Sequence, residues 1–171
     1  MAKNKIVITV KMPGLDRMRK AIQNNAALSA RIAKAWSTIY RAFTRQRFVR
    51  LSRGGGGEWK PLAPSTLKRR RGGGQGAAIL RDTGALLASL QPSLGGGSIL
   101  KTTPRPLGFT AFLGGGNSYK SGATLSEVAK FHHAGGGNLP SREILIQPDR
   151  STVDTMVQHG KRIITDALNN R

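Results

Sequence analysis

GEWKPLAPSTLKRRRGGGQGAAILRDTGALLASL, Gly57 to Leu90, is the stretch on which the fold turns. Its two ends carry signals of ordered structure and its middle carries none. Trp59 and Leu62 stand beside Pro61 and Pro64, and each proline fixes its own φ and moves the preceding residue out of the helical region. Trp59 to Pro64 is therefore expected to be extended or turning. Ser65 or Thr66 then starts a short helix through Leu67 into Lys68-Arg69-Arg70-Arg71. Glycines follow, so a flexible basic loop is expected over about 68–78. Order resumes at Ile79 to Leu90, with Asp82 or Thr83 as the N-cap of a second short helix. Four consecutive cations thus separate two segments patterned like core.

Working outward, Lys5 to Lys11 is a β-branched run ended by Pro13-Gly14, which predicts a strand and a turn. Its apolar residues do not alternate cleanly, so both its faces are expected to be covered. From Leu15 to about Val49, Leu15, Met18, Ile22, Ala26, Leu28, Ile32, Trp36, Ile39, Tyr40 and Phe43 recur at helical spacing, with no Pro or Gly between. At about 1.5 Å per residue such a helix would reach roughly 50 Å, too long for a domain of this size. A break near Asn24-Asn25 or a projecting end is expected. Arg45 to Arg53 closes it in a basic cluster, where cations also suit the negative end of the helix dipole.

Beyond Leu90, Ser98–Thr103 and Gly108–Leu113 read as a hairpin, with Pro104 and Pro106 at the connection or a sheet edge. Leu125 to Phe131 predicts a short helix started by Thr124 or Ser126. Ser141 to Gln147 predicts a further strand. The last helix spans about Ser151 to Asn169, with Val153, Met156, Val157, Ile163, Ile164, Ala167 and Leu168 inward and Gly160 as a weak point. Five glycine runs, at 54–57, 72–74, 95–97, 114–116 and 135–137, punctuate these elements. None has the spacing of a phosphate-binding loop.

The 171 residues suffice for one domain, taken as 1–171, with a real core. Aromatics make up 5% of the chain, which predicts an aliphatic, alanine-rich core. There is no cysteine, hence no disulfide or thiolate metal site. No apolar run is long enough to span a membrane, and the amino terminus lacks a secretory pattern, so synthesis in the cytoplasm is expected.

Charge is the strongest compositional signal. Lys plus Arg number 28 against 8 acids, a net of +20. Residues 1–81 hold 19 basic and 2 acidic side chains, whereas residues 82–171 hold 9 and 6. Such a chain repels itself and attracts polyanions. The bland alternative is a solvated basic face. The candidate residues facing DNA or a partner are Arg45, Arg47, Arg50, Arg53, Lys68, Arg69, Arg70 and Arg71.

Catalysis and cofactors are not expected. His132 and His133 are adjacent and diverge by about 100° on a helix, His159 is remote in sequence, and no carboxylates are paired for acid–base work. No metal, nucleophile-elbow, helix-turn-helix, zinc-finger or RNP-like motif occurs. Cations spread over a long helix and a loop suit phosphate contacts, which are salt-sensitive and blind to sequence.

Together, Trp59-Lys60-Pro61-Leu62-Ala63-Pro64-Ser65-Thr66-Leu67, then Ile79-Leu80-Arg81-Asp82-Thr83-Gly84-Ala85-Leu86-Leu87-Ala88-Ser89-Leu90, then Leu139-Pro140-Ser141-Arg142-Glu143-Ile144-Leu145 before a final amphipathic helix resemble the virion morphogenesis or tail completion proteins of tailed bacteriophages. The resemblance covers roughly residues 15–168. Its signature positions here are Trp59, Pro61, Leu62, Leu80, Asp82, Thr83, Gly84, Leu86, Pro140 and Arg142. The link at 69–78 is longer than the family's usual one, and Phe131-His132-His133-Ala134-Gly135 stands where the family tends to an aromatic-Gly pair.

The resemblance implies an α+β subunit, with a small antiparallel or mixed sheet packed against a long amino-terminal helix and a carboxy-terminal helix, and with extended Gly-rich loops. It implies a structural, non-enzymatic role at the virion neck, in a homo-oligomeric ring of six copies assembled in the host bacterial cytoplasm. Such a ring completes the tail tube and joins it to the head connector or stopper protein. Double-stranded DNA passes through without sequence specificity. Two other classes stay open: a small basic protein that binds nucleic acid regardless of sequence, and a hydrolase using His132, His133 or His159.

Overall fold

The computed structural model describes residues 6–11, 25–53, 58–69, 78–91, 97–105, 108–118 and 122–169. The fold is α+β. In chain order the elements are β1 (Val7–Lys11), α1 (Ala26–Ser52), α2 (Pro64–Arg69), α3 (Ala85–Ser89), β2 (Leu100–Arg105), β3 (Gly108–Leu113), α4 (Leu125–Ala134) and α5 (Arg150–Asn169). They fall into two compact units. One takes the described residues of Thr44–Lys101 and Leu113–Ile146, the other those of Val7–Phe43, Thr102–Phe112 and Gln147–Arg171.

Asn25 starts α1: its carboxamide Oδ1 accepts from Leu28 N at 3.0 Å, satisfying one of the orphan donors of the first turn. The break expected near Asn24-Asn25 is thus a helix start, and the expected helical turns before it lie outside the described residues. Leu28, Ile32, Trp36 and Tyr40 are buried at successive intervals of four along α1, and Phe48 and Leu51 are buried near its end. Trp36, Tyr40, Phe48 and Phe109 are among the largest fully buried side chains. The core is therefore not simply aliphatic: the few aromatics are concentrated in it.

In the second unit the sheet has the order β1-β3-β2, with β3 central and antiparallel to β1, pairing Val10 with Phe109 and Lys11 with Gly108. Five of the six β3 residues are buried, as a strand covered on both faces requires. β1 is an edge instead: Val10 is buried, but Val7 is 44% exposed, so the expected double cover is absent. Gly108 is forced by close approach, because a Cβ there would sit 2.4 Å from the Val10 carbonyl oxygen. Pro104 lies in edge strand β2, where a missing N–H costs no central ladder bond. β2 begins at Leu100, two residues later than expected, and the turn at 106–107 lies outside the described residues.

Trp36 anchors this unit. Its indole Nε1 donates to the Met156 carbonyl of α5 at 2.6 Å, and Tyr40 packs on Phe109 with ring centroids 5.2 Å apart. Gly160 is no weak point: it lets α5 approach the indole, since a Cβ there would lie 3.1 Å from Trp36 Cζ2. Met156, Gly160 and Ile164 are the buried residues of α5, whereas Leu168, expected inward, is 61% exposed.

The first unit is stitched by loops. Ile79 N donates to Ser52 O at 2.7 Å and Ile99 N to Ser89 O at 2.8 Å. α2 starts at Pro64, not at Ser65 or Thr66, because proline suits the first helical position, where its missing N–H is not needed. The N-cap of α3 is Gly84 at φ 74°, in place of Asp82 or Thr83. Thr83 Oγ1 only accepts from Ala85 N, at 3.3 Å. Thr124 caps α4 through a full capping box with Glu127.

The strand expected at Ser141–Gln147 does not form. Its backbone donors are taken by the end of α4. Arg142 N donates to His132 O at 2.7 Å, and Ile144 N donates to His133 Nδ1 at 3.0 Å. A ladder partner is thereby replaced by a helix terminus and an imidazole.

Candidate functional site

The last turns of α1 separate their arginines by helical phase. At about 100° per residue, Thr44, Arg47, Phe48 and Leu51 share the inward arc and all are buried. Arg45, Gln46, Val49, Arg50 and Arg53 fall on the opposite arc, where they line an open, shallow concavity. Arg45, Arg50 and Arg53 are exposed. Gln91, with its amide oxygen turned toward Arg45, accepts from Nε at 3.0 Å and Nη2 at 3.1 Å.

Arg47 is corrected from a DNA- or partner-facing residue to a buried brace, 7% exposed. Its Nη1 donates to Glu143 O at 2.6 Å and its Nη2 to Glu58 Oε2 at 2.6 Å. Glu58 extends the bridge outward, because its Oε1 accepts from Arg50 Nη2 at 3.1 Å. An unpaired buried guanidinium would be very costly, so the carboxylate and carbonyl are what allow Arg47 to sit on the inward arc. Glu58 was not among the expected site residues. The available signal was that it and Asp16 are the only acids among residues 1–81.

Two signature residues, Trp59 and Arg142, adjoin in sequence the residues that hold this brace, Glu58 and Glu143. Trp59 is buried edge-on against Phe48, centroids 5.3 Å apart at 85°. Arg142, 3% exposed, donates from Nη2 to Lys60 O at 3.1 Å. Residues 58–60 are thus bound to 142–143 by two buried arginines. Leu80 and Leu86 are buried, Leu62 and Pro140 half-buried, and Pro61, Asp82 and Thr83 exposed. Leu80 holds φ 58°, a left-handed conformation uncommon outside glycine.

Lys68 and Arg69 are exposed and helical, at the end of α2, so they are not part of the expected loop, and 70–77 of it lie outside the described residues. Arg69 Nε donates back to Ser65 O at 3.3 Å. Arg70 and Arg71 lie outside the described residues.

His133 is a structural acceptor. Its Nδ1 takes Ile144 N at 3.0 Å and Leu145 N at 3.4 Å, which leaves the ring proton on Nε2. Burial pushes the imidazole below its usual pKa; the Glu143 carboxylate opposes this and the Arg47 charge adds to it. Among the described residues, no three His, Asp or Glu side chains gather to hold a metal ion. The cleft lined by Leu80, Asp82, Thr83, Leu86, Leu125, Val128 and His132 encloses about 80 Å³, well below the roughly 300–1,000 Å³ of small-molecule sites.

No family model, curated protein or solved structure matches this chain. Among the described residues, no helix is long and apolar enough to cross a membrane.

Proposed function

We propose that the protein is a structural subunit of a tailed-phage neck, forming a ring that completes the tail tube and joins it to the head connector. The observation that carries this is the division of labour among its motif residues. Trp59, Leu80, Leu86 and Arg142 are buried within the first unit, while Arg45, Arg50, Arg53, Lys68 and Arg69 are exposed on its surface. Buried signature residues maintain a shape; exposed cations meet a partner. A genome conduit needs a basic surface that grips no particular sequence, since base-specific contacts would stall the DNA.

Six copies at +20 each would carry about +120, so assembly beside a polyanion offsets the self-repulsion. Apolar burial between subunits must supply the rest, at roughly 25 cal/mol per Å². Negative-stain imaging of the purified protein, alone and mixed with tail tubes, tests the proposal. Rings with a central channel that seat on tube ends support it. Isolated particles that ignore tube ends would sink it. A monomer that binds short duplex tightly would favour the alternative, a small sequence-independent nucleic-acid-binding protein.

A further inference from the structure

We infer that the outward arc of α1 at Arg45 and Arg50, continued by Arg53 in the turn just beyond it, is a docking track for the phosphodiester backbone of duplex DNA, and that Arg47 takes no part in it. The inference rests on the neck proposal only for which duplex reaches the site. Taking Arg45 as zero, helical phase places Val49 near 40°, Arg53 near 80°, Gln46 near 100° and Arg50 near 140°. The five side chains therefore fill a continuous arc, the same five that line the shallow concavity. Along the axis Arg45 and Arg53 are about 12 Å apart, the rise of three to four phosphates of one strand at about 3.4 Å each. Cations at that pitch match a linear polyanion.

The arc carries no acid and no aromatic between Arg45 and Arg53 except Phe48, which is buried on the other face. Bases therefore have nothing to stack on, and contacts are confined to phosphate and sugar. The open arc presents guanidinium groups, which pair with phosphate oxygens through charge-assisted hydrogen bonds. Arg50 enters the track by exchanging the Glu58 oxygen, 3.1 Å away, for a phosphate oxygen. Arg47 cannot follow, because it is buried and also held by Glu143 O.

Anisotropy titrations of the full chain with two unrelated 20-base-pair duplexes, between 50 and 200 mM salt, test the inference. Each of Arg45→Gln and Arg53→Gln should reduce the magnitude of the log K against log salt slope by about 0.9, equally for both duplexes. The triple variant with Arg50→Gln should lose about 2.7 from the slope, removing about 40-fold of the salt-induced weakening over that range. Arg→Lys at the same positions should keep the slope. Circular dichroism checks folding, and the single variants decide the matter if the triple one unfolds.

An unchanged slope in the folded variants would overturn the inference, as would loss of binding to polyglutamate with duplex binding intact. Ring formation with unchanged DNA slopes would refute the track and leave the neck proposal standing. Altered slopes in a strict monomer would do the reverse.

Discussion

Arg47 and Arg50 are three residues apart with the same side chain and opposite roles. Arg47→Met removes the donors to Glu58 and Glu143 O, while Glu58, 43% exposed, can turn to water. A loss of about 2 kcal/mol is expected, in line with hydrogen bonds to charged groups. Arg50→Gln breaks only an exposed pair and should cost under about 0.5 kcal/mol. Urea midpoints of the two variants check the contrast; equal losses would contradict it. The difference was legible in the sequence, though composition hid it: Arg47 follows Phe43 by four and precedes Leu51 by four, on the inward stripe. His133 gives a second test at this scale. Its folded pKa lies below its unfolded one, about 6.5. Below pH 6.5 the unfolded chain therefore binds more protons, so His133's contribution is complete above that pH and is lost as pH falls toward the folded value. Urea midpoints should drop on acidification in that window. His133→Gln, which keeps an acceptor but cannot titrate, should flatten the drop.

Among the elements, α1 and α5 were readable from their helical periodicity, although the pattern ran back to Leu15 and the described helix begins at Ala26. The start of α4 lay between Thr124 and Ser126, and the capping box with Glu127 decides for Thr124. What escaped was long-range. Ser141 to Gln147 has the composition of a strand, but His132 O accepts from Arg142 N and His133 Nδ1 from Ile144 N, in place of a strand ladder. Gly84 escaped because a left-handed cap depends on backbone path, not on side-chain preference. Gly160 was misjudged for the same reason: helix propensity alone favours alanine there by about 1 kcal/mol. The fully buried Trp36 indole, pinned to Met156 O at 2.6 Å, cannot yield the few tenths of an ångström a Cβ needs. Gly160→Ala should therefore lower stability by about 1 kcal/mol, the overpacking cost exceeding the propensity gain. In a Trp36→Phe background the same change should be neutral or stabilising. A double-mutant cycle measures the coupling; a stabilising Gly160→Ala in the parent chain would refute the packing account.

At the scale of the whole molecule, the α+β class was legible from the order of helical and β-branched segments. The charge excess points to a polyanion, yet burial removes Arg47 from the contact surface, and Arg70 and Arg71 lie outside the described residues. Salt should act in opposite directions on the two proposed associations, self-assembly and DNA binding. Screening weakens repulsion between +20 subunits and so favours self-assembly, whereas counterion release makes DNA binding weaker as salt rises. Light scattering and anisotropy on one preparation at 50 and 300 mM salt separate the two effects. The most direct test of the neck proposal is the mass of the purified protein by size-exclusion light scattering, read across concentration and with tail tubes added. A discrete ring near six times the 18.3 kDa chain, alone or formed on tube ends, is the predicted result. A strict monomer at every concentration that never associates with tubes would contradict it.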